Sequence, residues 1–552
     1  MNYRTLILAV AAVFLISLSV SIFYLCGRAS VFYCRGTVKK DLKCFSSGTE
    51  ITDIPRQKEE FLTSRQVDAL TSATPPECEV VPTVYSDRKK SKNLRISSPS
   101  DEASFPPNIA PPLFKWEDMA NNLWLVEFNL EGESIRVLTR EESYRPGKRL
   151  WDRMKKKAAG KHVKITVLGC SVDARGKPKN RGIHRSQPVS FRVSEFPADE
   201  VIIYRLVTPC FSGSKTPDMY LRHISSFRTK MFLPGEGRFC YGCHTFSSKS
   251  KSKRFSIQMR DMVKKSKDFG IYEKEKKSFR YVKSSLGGST FMGWSPDEKK
   301  LALTVRQSLI TKGPVTQETQ FAYSKTADIG IYDVESNFIS LLPGASEPGY
   351  LETYPCWSPD GKTIAFCRDE IKTAKAGRYR QKYNVYLVPY NGGKGGVPVP
   401  LKGASFNGKS NFYPHFSPDG KWLSFCRADY GSLVNPTSDI YLYSTETGET
   451  RKLECNADYA ADSWHSWSSN GRWIVFASKR DDGIFTKLYL SEIDGAGHAS
   501  PPVMLPEKKE PTLACYNVPE FQKEDAGLGY RRLFGMLSNK NLFIEAKEAE
   551  KE

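Results

Sequence analysis

The chain is short of the residues from which most catalytic centres are assembled, with 7 histidines and 10 methionines among 552 residues. Asp462, His465 and Arg480 invite a hydrolase or lyase reading, but neither a serine nucleophile elbow nor a paired-carboxylate pattern accompanies them. A binding or electron-transfer protein is therefore expected rather than an enzyme. No nucleic-acid fold signature accompanies the basic clusters at 154–157, 249–254 and 264–267, so nucleic acid is not an expected partner. The formal charge of +21 speaks to partners and solubility, and suits a solvated face or one that docks acidic partners or anionic lipid. Small residues suited to signal cleavage are missing after the apolar run at 6–25, and Phe23-Tyr24-Leu25 is too bulky for a lipoprotein signal at Cys26. That uncharged run is about 20 residues long, enough to cross a bilayer core. An uncleaved transmembrane helix over residues 1–26 is expected.

What is present reads as a turn-rich β protein. Hydrophobic residues make up 39% and aromatics 12%, and the 33 prolines and 39 glycines favour many short strands over long helices. Residues 27–103 are polar and without sustained periodicity, which reads as a stalk. From residue 104 alternating strands follow at 123–128, 134–138, 163–168 and 189–193, the pattern of an immunoglobulin- or fibronectin-like sandwich over 104–200. Thirteen cysteines fit an exported chain with some disulfides, although Cys367 and Cys426 close equivalent apolar strands and read as small core residues.

One motif carries specific chemistry. Cys240-Tyr241-Gly242-Cys243-His244 is the Cys-x-x-Cys-His through which a c-type haem is attached. Two thiols add to the porphyrin vinyl groups, and the adjacent imidazole reaches the iron from one face. A zinc reading needs a further Cys/His pair at short spacing, and none follows. A thioredoxin-like reading needs a βαβ context, which is also missing.

Residues beyond the motif repeat one phrase. Trp294-Ser-Pro-Asp297, Trp357-Ser-Pro-Asp-Gly361, Phe416-Ser-Pro-Asp-Gly420 and Trp467-Ser-Ser-Asn-Gly471 each precede an apolar strand, and Phe246-Ser247 begins a weaker copy. The copies stand about 50–65 residues apart, a blade-like period. In every copy an aromatic packs at a strand end and a turn sends the chain back as a second strand. Two residues before the aromatic stand His244, Met292, Pro355, Pro414 and His465, which a propeller gathers at one end of its axis. His465 and Met292 are thus candidate distal iron ligands opposite His244, and His415, one place off this register, is expected to face away.

These phrases resemble the WD40-like repeats of the TolB-type β-propeller. Together with Pro106-Pro-Asn-Ile-Ala-Pro-Pro-Leu-Phe114 and the Cys-x-x-Cys-His, the chain resembles exported bacterial propeller proteins carrying a single c-type haem motif, some of them related to cytochrome c biogenesis. The resemblance implies a mainly β architecture in which a TolB-like propeller of six blades spans 201–545, with the motif in its first blade. It further implies one covalent haem c held by Cys240, Cys243 and His244, and a role in electron transfer, redox sensing or assembly of an envelope complex. The alternative is a haem-free scaffold binding protein or peptidoglycan-associated partners. Arg28, Arg35, Lys39, Lys40 and Lys43 after the apolar run argue for a cytoplasmic flank. Haem attachment takes place on the outer side, and the motif and domain types outweigh the flank. The expected location is the inner membrane of a Gram-negative-type bacterium, with the bulk in the periplasm.

Overall fold

The computed structural model describes residues 94–179, 182–207, 217–235, 239–247, 253–263, 266–307, 309–312, 321–375, 381–483, 485–508, 514–525 and 543–548. The expected transmembrane helix, residues 1–26, and most of the stalk lie outside the described residues. Among the described residues no helix is long and apolar enough to cross a membrane.

The chain divides into two compact units. In the first, Leu123–Leu130 pairs antiparallel with both Glu133–Thr139 and His162–Cys170. A second sheet orders Arg95–Ser98, Phe114–Glu117 and Ser143–Tyr144. The two sheets meet through Phe114 and Phe128, rings 5.0 Å apart, and through Trp116 and Trp124 at 6.1 Å. These inward aromatics sit at alternate strand positions, as a sandwich with one wet face requires.

The second unit takes up residues 100–113, 146–162 and everything from 191 onward. Four four-stranded sheets and one nine-stranded sheet, in which Phe543–Glu548 joins two further four-stranded blades, give it six blades. Their innermost strands are β1 (Phe239–Phe246), β2 (Thr290–Trp294), β3 (Tyr350–Trp357), β4 (Ser410–Phe416), β5 (Asp462–Trp467) and β6 (Cys515–Gln522). Each touches the next, and β6 touches β1, so the sheets close into a ring. This is a six-bladed propeller on strand topology alone. The closing blade draws on both ends of the unit: β6 pairs antiparallel with Val201–Val207, which pairs with Asp218–His223 and then Thr229–Leu233. The strand carrying the cysteine motif therefore belongs to the second sheet in chain order. The motif lies within that strand, where a strand-end position was expected.

Second strands of the blades are apolar on both faces because each blade packs between two others. Leu301–Leu303, Ile364–Cys367 and Ile474–Ala477 are buried throughout. Cys367 and Cys426 are fully buried, and all eight described cysteines are free thiols. Trp151 lies on α1 (Lys148–Lys157). Its ring packs on Phe105 and Phe191, and its indole donates to the Ile109 carbonyl at 3.0 Å.

The repeated phrase is explained by its turn. Ser358 Oγ donates to Asp360 at 2.6 Å and accepts from the Thr363 amide at 3.0 Å, so one hydroxyl pins both sides of the hairpin. Ser295, Ser417 and Ser468 repeat both bonds. Gly361, Gly420 and Gly471 supply the left-handed residue at φ 66–73°, whereas Glu298 takes that place at φ 61°. A non-glycine residue there costs about 1–2 kcal/mol. Glu298→Gly is expected to stabilise the unit by about 1 kcal/mol, less the entropy glycine adds to the unfolded chain. A denaturant midpoint that falls on this substitution would refute the account.

Candidate binding site at the axis of the ring

The inner strands share a defect near the axis. In all six the register slips by one residue, in β1 between Tyr241 and His244, and in β2 to β6 Phe291, Tyr354, Tyr413, Trp464 and Val518 at the slip adopt φ between 38° and 59°. Bulky residues in this region carry strain that only a well-packed surrounding sustains. Here the surrounding is the residues themselves: Phe291 and Tyr354 are 4.1 Å apart, Tyr354 and Tyr413 6.0 Å, and Tyr413 and Trp464 5.1 Å. Tyr354 also donates to Ser432 Oγ at 2.9 Å. This aromatic plug floors a cup that opens at the axis.

The cup holds about 190 Å³ and is lined by Cys243, His244, Met292, Cys356, His415 and Glu520 together with the floor residues Phe291, Tyr354, Tyr413 and Val518. His244, Met292, Pro355 and Pro414 line it as the repeat register implies, but His465 does not, and its place falls to Ser466. His415, expected to face away, lines the cup instead. Pro414 and His415, adjacent in β4, both line the cup, so the residues after the bulge do not keep the strict alternation that the register assumed.

His244 and Glu520 meet across the seam where β1 and β6 close the ring. Nε2 stands 4.0 Å from Glu520 Oε2, while Oε1 accepts the Phe246 amide at 3.2 Å. His244 is fully buried in its side chain. Burial also pushes the Cys243 thiol up, against an opposing pull from the Arg205 guanidinium. A thiol held up in this way is a poor nucleophile at neutral pH.

Two motif residues, Tyr241 and Gly242, have packing roles in the strand. Phe239, Tyr241 and Phe246 are core residues of the blade. Gly242 leaves room for Gln258, whose Oε1 would lie 1.8 Å from an added Cβ. A covalent haem asks more, namely two sulfurs and an imidazole facing one porphyrin. Cys240 and His244 stand on either side of the register slip in this strand, roughly 10 Å apart at the usual rise of a strand, and Cys240 does not line the cup. The volume is little more than the roughly 150 Å³ that seats a benzene, and a porphyrin is several times larger. The residues in this arrangement do not fit a covalent haem, and no chemistry is derived through one. Among the described residues no group of three His, Cys, Asp or Glu side chains is placed to hold a metal ion.

His465 lies below the cup floor, fully buried, with Nδ1 3.6 Å from Cys426 Sγ and its ring 5.6 Å from Tyr413. Asp462 and Arg480 instead form a buried ion pair at 2.8 Å, in which Arg480 also donates to the Cys455 carbonyl. The three residues that looked catalytic therefore serve packing and charge pairing.

No family model matches the chain, and no curated protein matches it. Among solved structures it is similar to TolB from Acinetobacter baumannii, with 14% identity over 65% of this chain and 79% of that one, at a TM-score of 0.39. It is also similar to hydrazine synthase from Kuenenia stuttgartiensis, with 9% identity over 60% of this chain and a TM-score of 0.41, and spans 48% of that chain. The β-propeller domain of the trilobed protease from Pyrococcus furiosus, which has an open velcro topology, gives 10% identity over 57% and 97%, at 0.33. These likenesses concern the propeller fold, which stands here on its own strand topology.

Burial pushes the His465 pKa down to about 3, against a weaker opposing effect of the Ser424 backbone. The unfolded chain then binds the proton more readily than the folded one, so stability is complete above about pH 6.5 and falls as pH drops toward 3. The slope is at most about 1.4 kcal/mol per pH unit. His465→Gln is expected to flatten this loss in urea denaturation between pH 7 and 5, and an unchanged slope would remove the assignment.

Proposed function

We propose that the chain is a haem-free, TolB-like binding protein of the cell envelope, whose axial cup seats one bulky side chain presented by a protein or peptidoglycan-associated partner. The cup carries the reading: it is aromatic-floored, close in size to a single aromatic ring, and lined by polar groups of His415 and Glu520 beside the buried His244 imidazole. A concave apolar site with a few convergent polar groups is the usual form of a recognition pocket. Placement in the periplasm behind a membrane anchor is part of the same proposal. It is supported by the apolar run at 6–25 and by the resemblance to exported propeller proteins.

Panning a displayed peptide library against the full chain tests the cup. Selected peptides are expected to share a central aromatic or large apolar residue. Met292→Trp or His415→Trp, which fill the cup, should weaken them at least tenfold, about 1.4 kcal/mol, in variants whose circular dichroism is unchanged. Peptides indifferent to both substitutions overturn the proposal.

The second reading, a covalent haem c serving electron transfer or redox sensing, is favoured by the intact Cys240-x-x-Cys243-His244 spacing. A pyridine haemochrome spectrum of the chain, produced alongside a c-type maturation system, decides between the two. No covalent haem is expected. A stoichiometric haem lost in Cys240→Ser would establish the second reading and displace the first.

A further inference from the structure

Three neighbouring blades share an arginine staple. In the blade of β3, Arg368 donates to Glu352 at 2.9 Å and to the Gly344 carbonyl, and stacks 5.1 Å from Tyr386. In the blade of β5, Arg480 donates to Asp462 and to the Cys455 carbonyl and stacks 4.5 Å from Tyr489. In the blade of β4, Arg427 stacks 3.8 Å from Tyr441 and donates to the Gly403 carbonyl. Its inner-strand partner, however, is the neutral Asn411, accepting from Nε at 2.9 Å. Glu352, Asn411 and Asp462 each stand five residues before the strand-end aromatic, so the comparison is position for position.

Two of the staples thus carry an internal carboxylate, and the third does not. Among the described residues Arg427 forms no ion pair within 4 Å: Asp439, its cross-strand neighbour, favours its charge but pairs with Lys452 at 2.8 Å, and Asp429 pairs with Lys409 at 2.6 Å. At this blade the staple arginine lines a pocket of about 320 Å³, shared with Lys409, Asp429, Thr437, Asp439, Asp458 and Tyr459. That volume lies at the lower end of small-molecule sites, about 300–1,000 Å³. Asn411 is also suited to its own loop, because its amide donates to Asn407 and to the Lys409 carbonyl, which a carboxylate cannot do.

We propose that this pocket binds a small hydroxylated carboxylate of the sugar-acid class, whose carboxylate supplies the charge that Glu352 and Asp462 supply in the other two blades. A guanidinium presents several donors in a fixed fork suited to a carboxylate. Thr437 and the carboxylate oxygens of Asp429, Asp439 and Asp458 can accept from hydroxyl groups, and Tyr459, 79% exposed, offers a ring face to a sugar. The site is separate from the axial cup and independent of what fills it.

Titration calorimetry of the full chain with glucuronate, glucose and acetate tests this. Glucuronate is expected to bind, and glucose and acetate at least tenfold more weakly. Asn411→Asp, which restores the internal carboxylate, should weaken glucuronate at least tenfold. Because that variant loses donors to its loop, Tyr459→Ala serves beside it as an exposed substitution that leaves folding intact, with a loss of about threefold or more. No heat with glucuronate, or affinity unchanged in both variants, overturns the proposal. Equal affinity for acetate reduces the site to a bare carboxylate binder and overturns the sugar-acid assignment.

Discussion

Everything in the larger unit depends on one pairing, that of Cys515–Gln522 with Val201–Val207. It joins segments about 300 residues apart, yet the entropy of closing so long a loop grows only logarithmically with its length. Without it β1 and β5 would flank a gap, and the ring would expose unpaired strand edges to other chains. With it Glu520 arrives beside His244, and the cup acquires its last wall. The segment feeding into the closing blade is fixed as well: Ser104, Arg192 and Ser194 all bind the buried carboxylate of Glu492, and Asp199 caps the turn at Ser469. Closure and site are therefore one event.

The aromatic plug follows from closure. Five non-glycine residues held at positive φ cost about 1–2 kcal/mol each, a sum no single strand would sustain. Ring contacts between neighbouring blades return roughly 0.5–1.5 kcal/mol a pair beyond burial, and they exist only when all the blades are present. The cup floor is consequently rigid, which lowers the entropy a ligand must overcome on binding. A bulge that looks like a flaw in one strand is, repeated around the axis, the device that brings Phe291, Tyr354, Tyr413 and Val518 to the cup.

The sequence made the blades legible because their signal is local. A serine hydroxyl, an aspartate and a glycine within five residues determine the hairpin, and the phrase repeats visibly. Cys515–Gln522 escaped because it lacks the phrase: its turn partner is distant, so nothing nearby marks it as a strand of the ring. The register of the site was half legible. Counting back from the aromatic places His244 and Met292 at the cup, but it assumes that alternate residues alone face the axis, whereas Pro414 and His415 both line the cup from β4, and Ser466 rather than His465 does so from β5. The Cys-x-x-Cys-His spacing is a one-dimensional signal whose chemistry depends on local conformation. On an extended strand, Tyr241 and Gly242 serve the blade core and the groups needed for attachment are spread apart.

Repetition also supplies an internal control that a single motif cannot. Asp462, His465 and Arg480 looked like a site because ionisable groups lie close together in sequence. The blade of β3 shows Asp462 and Arg480 to be one instance of a recurring staple, paired for the same reason as Glu352 and Arg368. Breaking such a pair leaves a buried charge at a cost of about 3–5 kcal/mol, which is reason enough to find both partners together without any chemistry. Function is better sought where the repeat is broken. Arg427 keeps the stacking ring and the carbonyl but not the counter-charge, and a pocket stands open beside it. A charge paired directly with a carboxylate in two blades, and only neighboured by Asp439 in the third, is the place where a ligand's own charge counts most.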